Sequence, residues 1–267
     1  MSLSSATQNC WVQGALFLIV SSLFSAFAFA YGKIGWGMLT VLIFAFAFFN
    51  WLGEIKKKVS LSMGDELRTF PAESRKFDWL DLELLEKYSQ QFKELGFVKV
   101  TDYRLDEEYP PKNSGFARLF AHPEYFCFAE INQLLGADKK PTTMEYYIGS
   151  SFEKNWELVT TTRALLGISF LWRSPKKLWT YHPNTPPQEL LQYHKQLRQK
   201  IIENLQVNVY PEVSWEFYCA QVNKSFIERN QIWARKNLII GLGEVTLFEV
   251  NPPSQWLGDY QSFAKKK

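Results

Sequence analysis

Three histidines and three cysteines have the widest chemical range in this 267-residue sequence, and their spacing limits what they can do. His122, His182 and His194 make no HxH, HxxxH or HExxH pattern, so no metal site is encoded locally. Cys10, Cys127 and Cys219 are far apart and odd in number, which gives no disulfide framework. Cys127 and Cys219 fall in apolar segments and read as core residues, His194 as a hydrogen-bonded core histidine. His122 precedes a proline beside a strand pattern; with Glu124 or Glu130 it could form an acid–base pair. Thr160-Thr161-Thr162-Arg163 could bind an anion, although three threonines are also ordinary strand formers. His122, Glu130 and Arg163 are thus the candidate ligand-binding residues. Gly241-Leu242-Gly243 lacks the third glycine and the βαβ setting of a dinucleotide loop and reads as a turn. There is no Walker A lysine motif and no GxSxG, and no cofactor is implied.

Aromatic residues outnumber these groups: 22 Phe, 12 Tyr and 10 Trp. Trp172 and Trp179 lie in a proline-rich stretch with Arg173, Lys176 and Lys177. If exposed, these five residues form an apolar, basic patch suited to a partner protein or a membrane interface. Folded over a sheet, the same stretch fills core.

The elements that must position these residues divide into two regimes. The mean hydropathy of -0.20 resembles that of a soluble protein, yet residues 1–55 contain only two charged side chains, Lys33 and Glu54. Trp11–Ala30 and Ile34–Leu52 are charge-free runs that, at about 1.5 Å per helical residue, span roughly the 30 Å hydrocarbon core of a bilayer. Trp11, Tyr31, Trp36 and Trp51 bracket them as interfacial aromatics do. No Lys or Arg precedes the first run, which argues against a cleaved signal peptide, and the residues before Cys10 do not form a lipobox. A transmembrane helical hairpin over 1–55 is therefore expected. Lys56-Lys57-Lys58 after the second run, against Lys33 alone in the loop, predict both termini on the cytoplasmic side. Small-residue stripes, Ser22, Ala26 and Ala30 on one helix and Gly37, Thr40 and Ala47 on the other, are candidate helix–helix contacts.

Residues 56–76 read as a juxtamembrane linker with a short helix at Met63–Thr69, and 77–267 as a cytoplasmic α+β domain. Asp78 suits an N-cap, and Trp79, Leu82, Leu85, Tyr88, Phe92 and Leu95 form the stripe of a helix stopped by Gly96. The period then shortens. Phe97–Arg104, Phe116–Ala121, Tyr125–Asn132, Met144–Ser151 and Trp156–Thr162 are strand candidates separated by turn residues, which predicts an antiparallel meander of about five strands. Thr185-Pro186-Pro187-Gln188 has a capping-box shape before a helix with Leu190, His194, Leu197, Ile201 and Leu205 on one face. A third helix is predicted over Val213–Lys236, and a strand over Gly243–Val250.

Leu95-Gly96-Phe97, Phe120-Ala121-His122-Pro123, the strand Trp156–Thr161 and the segment Pro187–His194 together resemble a group of bacterial proteins, familiar from cyanobacteria, with an N-terminal membrane hairpin. That group has no established activity, so the resemblance implies a bacterial inner or thylakoid membrane and no catalytic residue. A net charge of +3 speaks against a strongly basic nucleic-acid binder. The reading that follows is a membrane-anchored, non-enzymatic interaction or assembly-assisting module, with membrane lipids and a protein in the membrane as partners. The alternative is a sensor or enzyme whose sheet binds a small ligand such as a lipid or pigment.

Overall fold

The computed structural model describes residues 5–32, 34–63, 68–106, 114–136 and 139–264; Lys33, most of the Pro110–Gly115 turn and Lys265–Lys267 lie outside them. The chain forms two compact units.

The first unit holds helices α1 (Ser5–Ala30) and α2 (Ile34–Met63), with Gly167–Leu171 and Arg235–Pro252. Gly32, at a φ of +67°, closes the turn between the helices in a conformation that residues with a Cβ rarely adopt. The helices run antiparallel, as shown by Phe17 on Phe48, Phe24 on Phe44 and Gly14 facing Trp51. Gly37 is buried under the Phe29 ring, which a Cβ there would approach to 2.8 Å. On α1 the expected stripe is displaced: Gly14, Phe17, Ser21 and Ser25 are partly buried, whereas Ser22, Ala26 and Ala30 are exposed. Rings fill the seam, so the inward face is the one that carries Phe17. Trp11–Ala30 and Ile34–Ser60 are long and apolar enough to cross a membrane, and neither is buried within the protein.

The second unit is built on an eight-stranded sheet whose strands lie side by side in chain order: β1 (Arg68–Pro71), β2 (Val98–Asp106), β3 (Ser114–His122), β4 (Cys127–Leu134), β5 (Glu145–Phe152), β6 (Trp156–Thr161), β7 (Lys177–Tyr181) and β8 (Gln255–Trp256). All five predicted strands are present, as β2–β6, antiparallel throughout. The expectation of about five antiparallel strands is corrected in two respects. Three short strands extend the sheet at its edges, and β6 pairs with β7 in parallel. A parallel neighbour needs a crossover, and the connection from β6 to β7 supplies one through a 3₁₀ turn at Gly167–Trp172.

Helices α3 (Leu82–Glu94) and α4 (Pro187–Leu205) cover one face. Phe116, Phe120, Ile131, Ile148, Leu85, Phe92 and Leu190 form the largest core there, and Phe152, Leu158, Leu178 and Ile201 continue it towards α7 (Tyr260–Ala264). Helix α5 (Trp215–Arg235) lies on the opposite face, where Tyr218 packs with Tyr103, Leu119 and Phe128.

Several local expectations change. The N-cap of α3 is Asp81, whose side chain accepts from the Leu84 amide, rather than Asp78. Pro186 occupies the N-cap of α4 without a side-chain cap, so Thr185 forms no capping box. Of the short helix expected at Met63–Thr69, residues 64–67 lie outside the described residues; α2 runs on through Lys56–Lys58 to Met63, and Arg68–Pro71 join the sheet. The predicted strand at Gly243–Val250 and the turn at Gly241–Gly243 are instead part of helix α6 (Leu238–Val250), capped by Asn237, whose side chain accepts from the amides of Ile239 and Ile240.

Candidate functional site

Alternation along β4 decides the site. Cys127, Ala129 and Ile131 point into the α3–α4 core, so Phe128, Glu130 and Asn132 take the α5 face. Glu130 is 4% exposed. Its Oε2 accepts hydrogen bonds from three tyrosine hydroxyls: Tyr103 on β2, Tyr147 on β5 at 2.8 Å and Tyr218 on α5 at 2.5 Å. Its Oε1 accepts from Asn132 Nδ2 at 2.8 Å. Tyr147 is the direct cross-strand partner of Glu130, whereas Tyr103 lies two strands away and Tyr218 comes from the covering helix.

All four partners are neutral. A buried carboxylate without a cation is unfavourable unless dense hydrogen bonding replaces its lost hydration. The Tyr218 hydroxyl also lies 2.9 Å from both the Tyr103 and the Tyr147 hydroxyl. Each phenol has one proton. When all three donate to Glu130, the two tyrosine–tyrosine contacts are left without one. Burial, and then the Glu130 carboxylate, push the pKa of all three tyrosines well above the ordinary value, which keeps them as donors.

Beside this cluster α5 leaves the sheet partly uncovered. A cleft of about 160 Å³ lies between the N-terminal half of α5, as far as Phe226, and β5–β7, with Tyr147 and Tyr218 in its wall and Gly149 in its floor. Phe128, Val159, Val222 and Phe226 supply apolar surface. Ser150, Ser151 and Gln221 add polar lining, and Glu157, Lys177 and Ser225 form a linked polar group: Lys177 Nζ is 2.9 Å from Glu157 Oε2 and donates to Ser225 Oγ at 3.0 Å. The arrangement suits a small apolar body with one polar end. Among the described residues no group of three or more His, Cys, Asp or Glu could hold a metal ion.

The three ligand-binding candidates are not brought together. His122 lies on the α3–α4 face, opposite Glu130. Its Nε2–H donates to the Leu95 carbonyl at 3.1 Å and its Nδ1 accepts from the amides of Glu124 and Tyr125, so the ring pins the β3–β4 turn to the end of α3. Burial lowers its pKa. Arg163 pairs with Glu145 at 3.3 Å, and the hydroxyls of Thr161 and Thr162 donate to the Tyr146 carbonyl. Of the partner-binding candidates, Trp172 packs edge-on against Trp233, Arg173 lies 4.4 Å from the centre of the Trp256 ring and Lys176 lies over Trp156. Trp179 is 7% exposed and stacks on Tyr181. Lys177 alone of this set lines the cleft. Burial pushes the Cys127 thiol up to about 12.

Tyr103, Tyr147, Tyr218 and Asn132 were not singled out by sequence. One signal was available: an acid and an amide alternating with apolar residues in Cys127–Asn132 mark a polar strip on a covered sheet face. Comparison with protein-family models, curated proteins and solved structures finds no match.

Proposed function

We propose that the protein is a membrane-anchored binding module whose sheet and α5 hold a small, largely apolar molecule with one polar group. The observation that carries this reading is the buried Glu130 carboxylate, ringed by neutral tyrosines beside an open cleft. Such a cluster contributes less to stability than an apolar filling of the same volume. What it does supply is rigidity, because Tyr147 and Tyr218 are fixed as one wall of the cleft. Phe128, Val159, Val222 and Phe226 would take the apolar body, and Lys177, Glu157 and Ser225 the polar end. In this reading α1 and α2 span the bilayer, with both termini on the cytoplasmic side with Lys56–Lys58.

Thermal unfolding of the detergent-solubilised chain against fractions of a bacterial lipid and metabolite extract tests it. A Cβ at Gly149 meets nothing closer than 3.8 Å, so Gly149→Leu fills the cleft without a backbone clash. Stabilisation of the parent chain and its loss in Gly149→Leu is the expected result. Equal stabilisation of both, or of neither, contradicts the proposal.

A second reading, an assembly-assisting module, is favoured by the outward position of Ser22, Ala26 and Ala30 on α1. Small residues at this spacing let a further spanning helix approach closely. Ser22→Leu and Ala26→Leu together should abolish a complex seen on native electrophoresis. A complex that survives them, or a parent chain that migrates alone, would speak against it.

A further inference from the structure

We propose that α6 is a third membrane-contacting element, lying along the bilayer interface beside the hairpin with its apolar face in the acyl chains. This rests on the reading of α1 and α2 as spans. Helix α6 belongs to the same compact unit as α1 and α2. At 3.6 residues per turn, Ile239, Ile240, Gly243, Leu247 and Val250 project into one sector of about 100°. The four side chains in that sector are 52–72% exposed, and a Cβ on Gly243 would meet nothing. A stripe of this kind on a water-facing helix leaves apolar surface without a partner.

The opposite face is committed. Val245 and Phe248 are buried, Phe248 packs on Phe170 with ring centres 4.9 Å apart, and a Cβ on Gly241 would meet Leu171 at 2.8 Å. The charged groups sit off the exposed stripe: Glu244 pairs with Lys236 at 2.5 Å, and Glu249 lies beside Gly167.

Two contacts set the depth of α6. Trp11 Nε1 donates to Thr246 Oγ1 at 2.7 Å, and Lys56 Nζ donates to the Lys236 carbonyl at 3.1 Å. Trp11 and Lys56 mark the same end of the hairpin, where an indole and an ammonium sit at headgroup level. A helix tied to both lies at the interface, and the occupant of its free face is lipid, continuous with the lipid around α1 and α2.

The full chain in phosphatidylcholine–phosphatidylglycerol vesicles provides the test. A fluorophore is placed on Leu247→Cys, on Leu23→Cys in the middle of α1 and on Lys200→Cys on the exposed side of α4, with signal from the native cysteines subtracted using the parent chain. Lipids quenching near the headgroup or at mid-chain are then compared. The expected result is that Leu247→Cys is quenched at least roughly threefold more than Lys200→Cys, most strongly by the shallow quencher, while Leu23→Cys responds to the deep one. Quenching of Leu23→Cys but not of Leu247→Cys overturns the inference and leaves the spans intact. Loss of quenching at both positions overturns the spanning reading itself. A Leu247 label shielded from lipid and from an aqueous quencher would mean that protein covers this face, which also overturns the inference.

Discussion

The Glu130 cluster and His194 are two buried polar solutions on opposite faces of one sheet, with opposite consequences for a mutant. Tyr103, Tyr147 and Tyr218 each donate to a carboxylate, and such bonds are stronger than neutral ones. Tyr218→Phe should therefore lower stability by about 1–3 kcal/mol in urea unfolding, and an unchanged midpoint would remove Tyr218 from the cluster. His194 is fully buried between Ser150 Oγ at 2.8 Å and Thr160 Oγ1 at 3.0 Å, and burial pushes its pKa down to about 3. The unfolded chain takes up this proton near the ordinary 6.5, while the folded chain resists until far lower pH. The stabilising contribution is thus complete above that value and declines as pH falls towards 3, by about 1.4 kcal/mol per unit. Urea midpoints should fall on acidification, with a shallower slope in His194→Gln; equal slopes would contradict this. Glu130 was legible as a candidate acid, although as a partner of His122, which lies on the other face, and His194 as a core histidine. The tyrosines were not, because Tyr103 and Tyr218 reach Glu130 only through long-range strand and helix pairing that no local pattern reports.

Elements with a clean period were readable, and elements too short or too uniformly apolar to show one were not. Helices α3 and α4 and strands β2–β6 follow apolar spacings of three to four or of two. Strands β1 and β8 have four and two residues, too few to show alternation, and β7 sits in a proline-rich stretch that resembles loop. Helix α6 is a short apolar run containing two glycines, which composition alone leaves ambiguous between strand, turn and helix. A paired glycine substitution tests the placement of these edges. Gly258 has a φ of +45°, and a Cβ there would lie 2.0 Å from the Pro175 carbonyl oxygen. Gly258→Ala should force that backbone apart and cost at least about 1–3 kcal/mol. Gly243→Ala, inside a helix with open space, should stabilise by about 0.5–1 kcal/mol. Thermal unfolding of the two variants gives opposite shifts if both environments are as described.

At the scale of the molecule, a near-neutral composition conceals an apolar unit and a charged one. The apolar unit is larger than the hairpin, because it recruits Gly167–Leu171 and Arg235–Pro252 from the C-terminal part of the sequence. The chain should therefore resist alkaline extraction from membranes and be released by detergent; release by alkali alone would contradict membrane integration. Lys56–Lys58 should be protected from protease added outside the cell and cleaved in inverted vesicles. We propose above all that the second unit binds a small molecule in the cleft between α5 and β5–β7. Native mass spectrometry of the full chain, released from detergent, tests it most directly. One small-molecule adduct per chain is expected in the parent and the bare mass in Gly149→Leu. A bare mass in both, or an adduct that Gly149→Leu leaves unchanged, would contradict it.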